Sequence, residues 1–545
     1  MEIERRKTAS EADILARLEA LNAIGVALSS ERDVGMLLER ILEAARGFAG
    51  ADGGTLYRVK NGALAFEVLR NDSLGYFMGG RNGAPIDFEP LPLMLPDGSA
   101  NDTMVVVRAA LTGQTTNIPD AYAAEGFDFS GTRAFDNTTG YHSQSFLTVP
   151  MKNHDGAVIG VLQLINAKAP DGTVRPFSQA DQQLVESLAS QAAIVLNNRQ
   201  LIEQLETLFE SLISLINTAI DEKSPYTGGH CDRVPVLTMM LAEAAARSMS
   251  GPLADFTMSE KDRYELKIAG LLHDCGKITT PVHVVDKATK LQTLFDRIEL
   301  LDARFEMLLR DAEIARLKGN LDEAGYAETV RAIEADRELV HRSNTGGEFM
   351  DDAQIAAVER LARRELRTND GQVKPFLSAD EVENLTIRRG TLNAAEREII
   401  NHHIVMTIRM LEALPWPAHL TQVPEYAGGH HERMDGKGYP RGLSREQMSI
   451  PARVMGIADI FEALTARDRP YKPGMGLSQA LRILGRMRVD NHVDPDLFDI
   501  FLRERVYQTY AERFLGPAQI DEVDWTTVPG VSAELASELT AQDRK

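Results

Sequence analysis

Cysteine is almost absent: Cys231 and Cys275 are the only two in 545 residues, which excludes a disulfide framework and any zinc site built on paired cysteines. A reducing compartment is the expectation. Long apolar runs are missing as well, none approaching the roughly eighteen residues a membrane helix needs. The opening stretch MEIERRKTASEADILARLEA lacks the apolar centre of a signal peptide, so a cytoplasmic protein with no membrane partner is expected. Basic residues are in short supply: 59 Lys and Arg face 80 Asp and Glu, a formal charge of −21. That balance excludes broad binding of nucleic-acid polymers, whose phosphates are captured by basic surfaces. An anionic substrate would have to be drawn by metal ions or by a few placed basic side chains.

What is present reads as a multidomain protein, with an apolar share of 43% and a charged share of 26%. Residues 1–33 suggest an N-terminal helix. Residues 34–200 begin with the amphipathic run GMLLERILEAARGFAG, which should end at Gly50, and continue with strand-like stretches GGTLYRV and ALAFEVLR. SFLTVPMKN and AVIGVLQLINA, joined by His154-Asp155-Gly156, predict a β-hairpin. A helical run of about forty residues then starts at Ser178 and includes a linker at 201–221, with Leu184, Leu188, Val195, Leu201, Ile202, Leu205, Phe209, Leu212 and Ile216 recurring at roughly three- and four-residue steps. It predicts a two-chain coiled coil, hence a homodimer; the other reading is a helix buried on its own domain. Residues 222–515 are dominated by helical periodicity. The final segment, 516–545, reads as a loose tail with one short helix.

Over residues 20 to 200 the chain resembles a GAF domain, an α/β sensor fold with an antiparallel sheet and flanking helices. Phe135-Asp136 with Thr139-Gly140-Tyr141 is similar to GAF domains of the cyclic-nucleotide phosphodiesterase and cyclase type, and Asn166, Lys168, Phe177 and Asp181 echo their dispersed motif. Ala167 interrupts the Asn-Lys pair and Gln182 stands where Glu is usual. The domain is expected to bind an unknown small molecule or to serve dimerisation alone.

The chemistry-bearing residues lie further on. His230 in YTGGHCDRV, His273-Asp274 in LLHDCGK, His403 in REIINHHIVM, His430-His431 in HHERMDGKGYP and Asp459 in GIADIFEAL supply five imidazoles and two carboxylates. A His-Asp pair closing an apolar helix is costly to bury without a compensating charge. Together the set would suit two first-row divalent ions such as iron or manganese, which accept mixed nitrogen and oxygen ligands. An aspartate between two such ions can bridge them, the arrangement used for phosphoester hydrolysis.

In family order these segments, with RRGTLNAAEREIINHH and IADIFEALTARDRPYK, resemble the HD-GYP phosphodiesterases, a subgroup of the all-α HD superfamily that hydrolyses cyclic di-GMP. The likeness implies that His230, His273, Asp274 and Asp459 hold one metal, and that Asp274 bridges to a second held by His403, His430 and His431. His402 would be a surface residue. It further implies that Lys277, Arg469 and Lys472 contact substrate phosphates, that Tyr439 and Pro440 shape the loop beside the site, and that Glu432 and Asp435 fix that loop or orient ligands. Asp274 and Lys277 are the catalytic pair expected, and cyclic di-GMP the substrate, cut first to pGpG, with a second cut giving GMP. A non-catalytic cyclic-dinucleotide module and an HD hydrolase of another nucleotide are the alternatives.

Two features depart from the family. Some members carry Glu four residues before the first histidine for a third metal, and Tyr226 stands there, so two metals are expected. The interval from His273 to His403 is far longer than the family needs; residues 287–386 are charged and periodic in Leu294, Ile298, Leu301, Phe305 and Leu308, predicting an inserted helical hairpin or bundle.

Overall fold

The computed structural model describes residues 19–543 except 20, 29, 32, 224–228, 250, 347–348, 368–370 and 468–473. The chain divides into two compact units, Met1–Phe209 and Glu210–Lys545. The division falls inside the single helix Gln179–Lys223.

In the first unit, helix Val34–Ala49 starts where the Asp33 carboxylate accepts from Met36 N and stops at Gly50, whose φ of 59° lets its N–H reach Arg46 O. Its Leu37, Leu38, Ile41, Leu42 and Ala45 form one buried face. That face packs with Val185, Leu188 and Ala192 from the start of helix Gln179–Lys223 against one side of an antiparallel sheet. The strands are β1 (Ala51–Lys60), β2 (Ala63–Asn71), β3 (Tyr76–Gly79), β4 (Leu91–Pro92), β5 (Thr116–Ile118), β6 (Phe146–Lys152), β7 (Val158–Lys168) and β8 (Val174–Arg175). They run in the order β3-β2-β1-β7-β6-β5, with β4 on β2 and β8 on β7. The expected hairpin is β6–β7, in the register Phe146 opposite Ile165. Gly54 is required in β1, since a Cβ there would stand 2.9 Å from Leu42 Cδ1.

The long helix carries an exposed seam. Leu201, Leu205, Leu208, Leu212 and Leu215, at alternating four- and three-residue steps, are each 44–65% exposed. Ile213, Asn217 and Ile220 on the other side are buried. No described helix is long and apolar enough to cross a membrane.

The second unit is helical. Within the inserted region, helices Ile298–Leu317 and Glu323–Asn344 make the expected hairpin, joined by Asp352–Ala362 and Ala379–Leu385. A two-stranded antiparallel ribbon, Glu365–Arg367 with Val373–Pro375, was not foreseen, being too short and polar to register as strands. The insertion has its own core, in which Phe305 and Phe376 lie 4.6 Å apart between ring centres. Burying each ring fully contributes about 1.5–3 kcal/mol. At its base Lys287, its side chain fully buried, donates to Asn384 Oδ1 and to both oxygens of Glu396. Removing one partner of such a pair costs about 3–5 kcal/mol.

The C-terminal segment corrects its expectation of a loose tail. Trp525, Val528, Leu535 and Leu539 are buried, the Trp525 ring is 5.5 Å from Tyr507, and its Nε1 donates to Asp543. Helix Ala533–Asp543 therefore packs onto this unit. Its apolar residues are too few and too widely spaced to show as a pattern.

Candidate metal centre

Five separated segments bring the histidines and aspartates together. His230 opens helix His230–Arg247 directly after Gly229, whose φ is 78°. His273 caps helix Glu260–Leu272, and Asp274 leads into a tight turn, Cys275–Thr279. His403 lies in the middle of helix Ala394–Glu412, His430 and His431 follow the short helix Val423–Gly428, and Asp459 is on helix Ile450–Thr465.

Gly276 explains how the turn reaches the helix. A Cβ there would fall 2.0 Å from His403 O, and the Gly276 N–H donates to Thr407 Oγ1 at 2.9 Å. Only glycine lets Asp274 come this close to His403.

The resulting geometry is two-sided. Asp274 Oδ2 is 3.2 Å from His230 Nε2 and 3.3 Å from His273 Nε2, whereas Oδ1 is 3.3 Å from His403 Nε2. Asp459 Oδ1 is 3.3 Å from His230 Nε2. His431 Nε2 stands 3.2 Å from His403 Nε2, and His430 Nε2 is buried without a hydrogen-bond partner. Three groups of atoms converge closely enough for an ion: His230, His273 and Asp459; His273, Asp274 and His430; and His403, His430 and His431.

Tautomers follow from the other ring nitrogens. Nδ1 of His273, His403 and His430 each faces a carbonyl oxygen, of Gly270, Ile400 and Ala427, which can only accept. Each Nδ1 thus carries the proton and each Nε2 turns a lone pair inward. Lone pairs packed this tightly repel unless a cation lies among them. The donor set therefore fits divalent metal, and HD domains are metal-dependent.

Charge supports the same reading. Burial works against the charge of Asp274, but Lys277 and His273 outweigh it and hold the carboxyl well below its usual range. Asp459 is likewise lowered against burial, by its hydrogen bond to His230 and by the histidines around it. Burial pushes His431 down to about 4, and His430 also falls well below its usual value. These two imidazoles are therefore neutral at physiological pH, the form that ligates a metal.

Lys277 is half-buried against the site and its Nζ donates to Asp274. Tyr439 stacks on His431, ring centres 4.9 Å apart, and burial raises its phenol to about 12. A pocket of about 470 Å³ opens beside these groups, lined among others by His430, His431, Lys437, Tyr439 and Asp459, with Leu464 and Met475 on an apolar wall. His402 is exposed. Arg469, Lys472 and Tyr226 lie outside the described residues.

Of the two acids in HHERMDGKGYP, Glu432 accepts from the N–H groups of Arg441 and Leu443, and Asp435 from Lys437 N and the Arg433 guanidinium. Both fix the loop. The carboxylate that orients a histidine is one the sequence reading missed: Glu462 accepts from His230 Nδ1 and is held in turn by Arg233 Nε at 2.7 Å. The available signal was spacing, since Glu462 and Arg233 each follow a proposed ligand by three residues, about one helical turn.

In the first unit, the residues that echo the cyclic-nucleotide motif hold the fold. Asn166 bridges His142 O to the N–H groups of Gln144 and Ser145, Lys168 pairs with Asp52, Phe177 joins the core, and Asp181 caps its helix and pairs with Arg175. A separate pocket of about 270 Å³ lies on the far face of the sheet, among Thr55, Tyr57, Phe66, Asn71, Phe135 and Tyr141.

Comparison with known proteins agrees with this architecture. A GAF-domain family model matches residues 33–196, and two HD-domain models match residues 227–342 and 379–497. The chain is 35% identical over 128 residues to 3′3′-cGAMP-specific phosphodiesterase 1 of Vibrio cholerae, covering 23% of this chain and 29% of the relative. It is 24% identical over 293 residues to 3′3′-cGAMP-specific phosphodiesterase 3 of the same organism, covering 54% and 38%. A cyclic di-GMP phosphodiesterase of Pseudomonas aeruginosa is 43% identical over 74 residues, 14% of this chain and 17% of that one. The chain thus spans well under half the length of these relatives. It carries a segment similar to GAF domains ahead of two segments similar to HD domains, in keeping with the HD-GYP likeness of its motifs.

Proposed function

We propose that the protein is a metal-dependent phosphodiesterase that hydrolyses a 3′-5′ linkage of a cyclic dinucleotide, with cyclic di-GMP as substrate and pGpG as first product. The observation that carries this reading is the inward convergence of histidine Nε2 atoms around an aspartate whose two oxygens face opposite halves of the site. His230, His273, Asp274 and Asp459 would hold one metal, and Asp274, His403, His430 and His431 a second, iron or manganese. Bound there, the two ions would supply a water acidified to near neutral pKa and an electrophilic clamp on phosphoryl oxygens.

The chain's own groups do the rest. Asp274 keeps both halves in register. Lys277, held on Asp274, adds positive charge beside the reacting phosphate, a role the resemblance also gives to Arg469 and Lys472. Tyr439, whose phenol stays protonated, offers a hydrogen bond at the rim. The apolar wall of the pocket suits the face of a base and keeps bulk water from it. The hybrid cyclic GMP-AMP is the second reading, favoured by the two 3′3′-cGAMP-specific relatives from Vibrio cholerae. A second copy of the chain would cover the exposed leucine seam, giving a homodimer in which the GAF domain acts on the site through that helix.

The test is anaerobic purification, metal quantification, and chromatography of cyclic di-GMP and hybrid cyclic GMP-AMP incubated side by side. About two metals per chain with linear dinucleotide product supports the reading. Binding of either nucleotide without turnover, across iron, manganese and cobalt, replaces it with a non-catalytic module.

A further inference from the structure

Next to the Tyr439 side of the centre the surface changes character. In a chain of formal charge −21, three arginines, Arg388, Arg389 and Arg397, against one acid, Glu383, line one open depression of about 510 Å³ together with Phe349. Phe349 is 59% exposed, an unusual place for a phenyl ring, and comes from the inserted region. The guanidinium carbons of Arg388 and Arg389 stand 5.9 and 5.8 Å from its ring centre. Arg388 is neutralised by Asp352. Arg389 and Arg397 have no ion-pair partner among the described residues. With Asp352 on Arg388 and Glu383 in the lining, the depression keeps an excess of positive charge beside an exposed ring, a combination that attracts an electron-rich, anionic partner.

The depression adjoins the catalytic pocket. Arg397 shares helix Ala394–Glu412 with His403, six residues away or about 9 Å along the axis. Its charge also reaches the Tyr439 phenol, easing the rise that burial imposes. Arg397 thus links the depression to the helix that carries His403 and to the loop that carries Tyr439.

We propose that this edge seats the guanine half of the cyclic dinucleotide that is not being cut. The face of the base lies on Phe349, and the planar fork of Arg389 or Arg397 donates to the adjacent acceptors N7 and O6. Guanine offers two acceptors side by side where adenine offers one acceptor and one donor, so the arginine fork selects guanine. A stacked base on an aromatic or guanidinium plane is the usual way an unpaired nucleotide is held. The insertion thereby becomes part of substrate recognition through Phe349. This inference rests on the cyclic-dinucleotide reading given above.

The test uses the full-length, metal-loaded protein. Arg389→Ala, Arg397→Ala and Phe349→Ala are assayed on cyclic di-GMP and on bis(p-nitrophenyl) phosphate, which has the scissile bond but no base. The expected result is a tenfold or greater rise in KM for cyclic di-GMP, kcat within about threefold, and unchanged turnover of the small diester, which also certifies the fold. Arg397→Lys should fall between, since it keeps the charge and loses the fork. Wild-type KM for cyclic di-GMP in all three alanine variants, or equal loss on both substrates, overturns the inference while leaving the phosphodiesterase reading intact. A wild-type protein that cleaves the small diester and no cyclic dinucleotide overturns both.

Discussion

Asp274 and His403 meet across 3.3 Å, Oδ1 to Nε2, although 129 residues separate them and the segment between includes an entire inserted subdomain. Because the other oxygen of Asp274 faces His230 and His273, this carboxylate touches both halves of the centre. Asp274→Ala should therefore remove both metals and lower kcat by about 10³-fold or more, the loss of several kcal/mol of charge stabilisation. Metal quantification beside turnover checks it; full activity in that variant would end the two-metal assignment.

Glu462 acts through His230. Its carboxylate fixes the Nδ1 proton and so aims Nε2 at Asp274 and Asp459. Glu462→Gln should weaken metal affinity about 10–100-fold, the usual effect of losing such a partner. The loss should appear as activity that returns when metal is added in excess. Activity insensitive to both the substitution and the metal supply would show that His230 needs no orientation.

Gly276 makes a different kind of prediction. Gly276→Ala places a methyl carbon where His403 O already stands, so the turn or the helix must move. The expected cost is about 1–3 kcal/mol, the range for overpacking, read as a lower denaturation midpoint. Metal content should fall in parallel, because the displaced turn carries Asp274.

Much of this was legible in the sequence, for physical reasons that vary by element. The proposed ligand histidines and aspartates announce themselves because a His-Asp pair ending an apolar run is costly to bury without a compensating charge. The hairpin β6–β7 and the helix closing at Gly50 follow from local rules that the structure obeys. Glu462 stayed hidden because a carboxylate on a helix has many ordinary uses, and only the approach of His230 from a distant segment gives it this one. Arg389, Arg397 and Phe349 were likewise invisible as a group, since the insertion had to fold before Phe349 could reach the arginines. The tail's packing depends on Trp525 meeting Tyr507, a contact with no periodic trace.

Asp52 in the first unit predicts an acid limit. Burial raises its pKa, but Lys168, Tyr141 and Ser73 outweigh it, so the folded value lies below the ordinary one. A group depressed on folding binds its proton more readily when unfolded. Its stabilisation is therefore complete above the unfolded value of about 3.9 and is lost as pH falls through the lower folded value. Thermal unfolding of the full chain between pH 5 and 2.5 should show a steeper decline for the wild-type GAF transition than for Asp52→Asn. Parallel curves would mean that the carboxylate contributes no such linkage.

The leucine seam gives the last prediction. Leu201, Leu205, Leu208, Leu212 and Leu215 follow the four-three alternation of a and d positions, and all are exposed, on a helix whose opposite side is covered from Ile213 onward. Two helices meeting along this seam would bury those side chains at about 25 cal/mol per Å² of apolar surface, enough to favour a two-chain coiled coil over an exposed stripe. Leu208→Asp with Leu212→Asp should convert a dimer to a monomer in sedimentation or light scattering, since each chain would bring two charges into a dry seam. The metal centre is built wholly within the second unit, so metal content should be retained in the monomer. If the site needs only its own unit, turnover persists; if the helix transmits the GAF state, the basal rate changes while metal occupancy does not. A wild-type protein that sediments as a monomer would leave the seam without its partner and end the dimer reading.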